Sequence, residues 1–188
     1  MPIEQNILYR LVLVKYLQGL SEQNFGIHSY TNAIAILHLH DAIELFYNAS
    51  ADYLGIVYPK KCEFDQYPKE IEKEKGIKLS NLSEISRLNK TRVAIKHHGT
   101  FPDPKDVAYY IQAGKGFLAE GFELIYGMDI NEICVSEIIN NSDAKLKVHE
   151  SIKLAEKKFF KAACMKLDSA PRSGVSPDLR IRHRKQAS

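Results

Sequence analysis

The segment SYTNAIAILHLHDAIELFYNASADYL, from about Ser29 to Leu54, is apolar almost all the way round a helix. Ile34, Ile36, Leu37, Leu39, Ile43, Leu45 and Phe46 leave only a narrow sector for polar groups. A surface helix keeps its apolar residues on one stripe, whereas a helix that is apolar all round must be surrounded. The segment therefore predicts a central helix, and the rest of the chain has to supply its neighbours. Alternating strand patterns joined by hairpin dipeptides are absent, so those neighbours are helices and the fold class is all-α.

Pro2 opens a first helix through IEQNILYRLVLVKYLQGL, ending between Ser21 and Gly26. Pro59 marks a loop over 57–63, and a short charged helix from Asp65 to Lys75 stops at Gly76. A helix from Asn81 to His98 follows, with Ser80 as its capping candidate and Gly99 as its stop. The turn GTFPDP is rigid because proline cannot continue a helix, and Asp103-Pro104 opens the next one, through residue 127. Within it Gly114 reads as a close-packing position rather than part of a phosphate loop. Tyr109, Tyr110, Phe117 and Phe122 read as core or interface. A shorter helix, Asp129 to Ile139, and a long one, Ser142 to about Leu167, complete a helical domain over residues 1–168. Residues 169–188 are rich in Ser, Pro and Arg and are expected to form a disordered basic tail.

The formal net charge of +3 is concentrated in that tail. Arg172, Arg180, Arg182, Arg184 and Lys185 stand there against the single acid Asp178. The body is thus close to neutral, and any polyanion contact in it must be local. No stretch approaches ~18 uninterrupted apolar residues, which excludes a helical membrane span. The N-terminus shows no basic region followed by an apolar core, so a cytoplasmic protein is expected. Cys62, Cys134 and Cys164 are far apart and suit three ordinary thiols. Dinucleotide, P-loop, HExxH and GxSxG motifs are all absent. No cofactor and no metal is expected.

The informative polar groups lie in apolar places. On the Asn81–His98 helix, Leu82, Ile85, Leu88, Val93 and Ile95 make one arc. Arg92 falls inside it, with Asn89 three residues before and Lys96 four after. An unpaired buried charge is costly, so this stripe faces either a polar cleft or an anion. His97 lies near the edge of the arc and His98 away from it, which favours His97 as the inward histidine. On the central helix His40, Asp41, Glu44 and Asn48 share one sector, a possible partner stripe. His40 and Glu44, at i and i+4, could also begin a metal site, but no second EXXH-like pair completes it. A scaffold in which Arg92 pairs with a buried carboxylate is the structural alternative.

The run RLNKTRVAIKHHGTFPDP, placed after the AILHLHDAIELFYNAS helix, resembles the HEPN superfamily, all-α domains with an Arg-x(4–6)-His motif. Arg92 is followed by His97 after four residues and by His98 after five, and both spacings fit. The resemblance covers residues 1 to about 165 and implies a metal-independent endoribonuclease, a toxin or antiphage-defence effector acting as a homodimer on RNA. Arg92 and His97 would then be the catalytic pair, and the products a 2′,3′-cyclic phosphate and a 5′-hydroxyl. Lys96 and His98 would hold backbone phosphates, Asn89 and Glu44 would orient the site, and an antitoxin or defence-system protein would be the partner. The residue after the arginine is often polar in that family and is Val93 here. The competing reading is a catalytically silent helical module that binds a partner protein, RNA or a nucleotide.

Overall fold

The computed structural model describes residues 3–134, 136, 139 and 142–170. The basic tail from Pro171 onward lies outside the described residues. Among those described, seven α-helices and two 3-10 turns form and no strand does, so the fold is all-α. The chain divides into two compact units, Met1–Ile133 and Cys134–Ser188.

The first unit holds α1 (Gln5–Asn24), α2 (Ser29–Leu54), α3 (Tyr67–Lys75), α4 (Leu82–His98) and α5 (Pro104–Tyr126). The turn between α1 and α2 is fixed by side chains: Thr31 Oγ1 accepts from the His28 N–H at 2.9 Å, and Asn32 Oδ1 from the Gly26 N–H at 2.9 Å. As its pattern predicts, α2 is the central helix, with Ala35, Ile36, Leu39, Ala42, Ile43, Phe46 and Ala49 fully buried. Leu11 and Val14 of α1, Leu88 of α4 and Phe117, Leu118 and Phe122 of α5 close around it. Phe46 stacks on Phe122 with ring centroids 5.6 Å apart and meets Phe117 edge-on at 5.8 Å. Close approach of α5 needs glycine at two points. A Cβ at Gly114 would come within 2.8 Å of Leu39 Cδ1, and one at Gly121 would run into the Phe46 ring.

Several boundaries differ from the sequence reading, each for a local reason. The segment expected to start α3 is a separate 3-10 turn, Phe64–Gln66. Ser80 does not cap α4. Its N–H and hydroxyl both donate to the Glu120 carboxylate on α5, and Asn81 enters the helix in the left-handed conformation, φ 54°. Asp103 does cap α5, accepting from the Lys105 N–H at 2.8 Å, with Pro104 in the first turn. Tyr110, Phe117 and Phe122 are core, but Tyr109 is half exposed and donates from its hydroxyl to Glu84. Val93, expected on the buried arc, is 39% exposed. It sits about 140° round the helix from Leu88, the side chain that defines the buried side.

The helix expected from Asp129 to Ile139 is not formed by the described residues up to Cys134. Ile130–Glu132 makes one 3-10 turn and Ile133 is extended. The Lys15 ammonium draws this segment onto α1 through the carbonyls of Asn131 at 2.9 Å and Ile133 at 2.6 Å. In the second unit, the long helix expected from Ser142 to Leu167 is two: α6 (Ser142–Glu156) and α7 (Phe160–Asp168). Lys158 breaks them by adopting φ 63°, while the Phe159 N–H returns to the Leu154 carbonyl at 2.9 Å. The break lets α7 fold back on α6, where Lys166 pairs with Glu150 and Lys147 donates to the Ser169 carbonyl. All three cysteines are free thiols. No helix among the described residues is long and apolar enough to cross a membrane.

Candidate functional site

The polar sectors of α2 and α4 meet. His40, on the central helix, is 2% exposed, and its ring stacks on Phe64 with centroids 4.5 Å apart and planes 22° from parallel. Its Nε2 lies 3.1 Å from Asn89 Oδ1 on α4. A carbonyl oxygen can only accept, so Nε2 carries the proton and the neutral ring presents a bare lone pair at Nδ1. That atom faces Asp41 Oδ1 at 3.6 Å and Glu44 Oε2 at 3.8 Å, beyond hydrogen-bond reach of both. Burial, and next the positive charge of Arg92, hold the His40 pKa below its ordinary value against the opposing pull of Glu44, Asn89 and Asp41. A neutral imidazole therefore lies beside a guanidinium.

Arg92 is half buried, and its Nε is shielded from solvent with no acceptor. Among the described residues no carboxylate comes within ion-pair distance of Arg92; Glu44 and Asp41 approach His40 instead. The scaffold alternative asks for a carboxylate on Arg92, and the described residues do not provide one.

The remaining sequence-derived candidates lie elsewhere on the same helix. His97, His98 and Lys96 are all exposed. The expectation that His97 turns inward is thus corrected. Ile95 is the last α4 side chain packed on the core, and the turn after it stands clear, so both histidines reach solvent. Arg92 and His97, five residues apart, leave the helix on sides about 140° apart. The structure brings together Asn89, Arg92 and Glu44 around His40; exposed Lys96 follows Arg92 one turn on along the same stripe, while His97 and His98 leave the helix on other sides.

The sequence reading missed two cations. Arg87 and Lys90 are exposed and lie on the same outward side of α4 as His97 and His98. Their signal was present as the spacing 87, 90, 94, 97/98, which repeats every three to four residues. The single acid of α4, Glu84, is engaged by Ser83 and Tyr109, and those hydrogen bonds hold its carboxyl below the usual range.

His40, Asp41 and Glu44 offer donor atoms within 4.8 Å of one another, a spacing that could hold a divalent ion. The Arg92 charge beside His40 would oppose a cation there. Comparison of the chain with protein-family models, curated proteins and solved structures finds no match. The functional reading thus rests on the residues of α2 and α4.

Proposed function

We propose that this chain is a metal-independent endoribonuclease of HEPN type, a cytoplasmic toxin or antiphage-defence effector that works as a homodimer and is restrained by an antitoxin or defence-system protein. One observation carries the proposal: Arg92 is a half-buried cation without a counter-ion, one and a half turns before an exposed histidine that makes no hydrogen bond or ion pair among the described residues. A guanidinium left without a carboxylate, beside a histidine held neutral, suits a ligand that brings its own negative charge. A phosphodiester is such a ligand.

In this reading His97 takes the proton from a ribose 2′-hydroxyl, whose oxygen attacks the adjacent phosphorus. The Arg92 guanidinium donates to the equatorial oxygens of the phosphorane as their charge grows. The P–O5′ bond breaks, and the leaving oxygen takes a proton from a second histidine. The products are a 2′,3′-cyclic phosphate and a 5′-hydroxyl. Asn89 fixes His40, and Glu44 faces its free nitrogen, so both act on Arg92 through the imidazole. Lys96 and His98 meet flanking phosphates. Because Arg92 and His97 diverge around α4, the pair is completed across a two-fold axis, which also supplies the second histidine.

The test is incubation of wild-type, Arg92→Ala and His97→Ala proteins with total and transfer RNA in EDTA, followed by mapping of the ends. Wild type alone should cleave and leave cyclic phosphates. Arg92→Ala should unfold in urea within about 1 kcal/mol of wild type, since no ion pair is broken, against the ~3–5 kcal/mol expected of a severed buried pair. Dependence on magnesium, or cleavage by both variants, would remove the mechanism. Val93, an exposed apolar residue where a polar one is common, favours a second reading: a silent helical module that binds a partner through the same polar sectors of α2 and α4. A folded wild type that cleaves nothing and co-purifies with one protein would support it.

A further inference from the structure

The outward side of α4 is a second feature, distinct from the buried cluster around Arg92. Arg87, Lys90, Ala94, His97 and His98 fall within a sector about 100° wide and extend about 16 Å along the helix. All but Ala94 are exposed, and Ala94, half buried, leaves the middle of the ridge low. The one acid of α4, Glu84, lies a turn before Arg87 and outside this sector; its carboxylate accepts from Ser83 and Tyr109 and also attracts Arg87. Arg87, Lys90, His97 and His98 form no ion pair among the described residues. Three residues past the end of the helix, Phe101 is 60% exposed.

We infer that single-stranded RNA lies along this ridge, its phosphates on Arg87, Lys90 and His98 and a ribose at His97, with Phe101 offering a stacking face for a base. The inference deepens the ribonuclease reading and rests on it for the identity of the polyanion. The ridge itself selects the strand form. A-form duplex is held through two successive minor grooves and the phosphates between them, a footprint much longer than 16 Å. A single strand needs a short cationic track and an exposed ring.

The experiment measures binding without cleavage. A fluorescein-labelled 2′-O-methyl oligonucleotide has no free 2′-hydroxyl to attack, and its anisotropy is titrated with protein in EDTA over a range of salt. Compared with wild type, the Arg87→Ala/Lys90→Ala double variant should bind at least tenfold more weakly at low salt. Its log–log salt slope should be shallower by about 1.4, two phosphate contacts at about 0.7 each. Lys60→Ala/Lys61→Ala, which removes two exposed loop cations, should match wild type in affinity and slope. Unchanged melting temperatures exclude a folding defect. Equal binding by the α4 double variant, an equal loss in the loop control, tighter binding of a duplex of the same length, or no binding by wild type would each overturn the ridge. Binding that follows these expectations in a protein that cleaves nothing would leave the ridge standing and remove the ribonuclease reading.

Discussion

His40 is a titratable group at the centre of the most buried helix, and its surroundings set the sign of its effect on stability. Its folded-state pKa is lowered, first by burial and then by Arg92, so below the ordinary value of 6.5 the unfolded chain binds a proton that the folded chain resists. Stability is therefore complete above that value and declines as pH falls toward the folded-state pKa. His40→Gln should cost about 1–3 kcal/mol at neutral pH by disturbing the bond to Asn89. It should also flatten the decline between neutral and mildly acid pH. Urea unfolding of both proteins across that range checks this, and an unchanged acid slope in the variant would show that another group is responsible. At this scale the sequence was half legible. The intrusion of Arg92 into an apolar arc and the matching sector on α2 could both be read, and they do meet. That His40 rather than a carboxylate lies beside Arg92 depends on the packing of α2 against α4, which no helical wheel contains.

Between helices, the glycines of α5 separate close packing from open space. Gly121→Ala would press a methyl into the fully buried Phe46 ring and should cost about 1–3 kcal/mol. Gly116, on the same helix, has its nearest neighbour, Asn81 Nδ2, 3.7 Å from an added Cβ, so Gly116→Ala should be stabilising by about 0.5–1 kcal/mol. Thermal melts of the two variants moving in opposite directions would confirm the contrast, and similar shifts would contradict it. The elements that could be read in advance are those with covalent or periodic punctuation: α2 from its apolar surround, the end of α4 from Gly99, the start of α5 from Asp103-Pro104. Those that could not be read lack such marks. Lys158 adopts a glycine-like conformation without being glycine, so the break between α6 and α7 leaves no trace in the pattern. Ser80 looks like a cap but is claimed by Glu120, forty residues away.

For the whole molecule, the dimeric reading makes a demand on mixed assemblies. If one working site takes a His97 from each chain, equal amounts of wild-type and His97→Ala chains unfolded and refolded together should keep about a quarter of the cleavage of wild type at the same total concentration, because only about a quarter of the dimers carry both histidines. Retention of about half would place a complete site on each chain.

The start of α4 is tied to α5 through Ser80 and Glu120, its middle is held by Ile85 and Leu88, and among the described residues Ile95 is its last side chain packed on the core. The helix is a cantilever, clamped at one end and free at the other. Substitutions in the free turn remove no core contact, so their price in stability is small. The free turn answers to function and the clamped stretch to folding: substitutions at 96–98 should change cleavage before stability, and substitutions at 85 and 88 should change stability first.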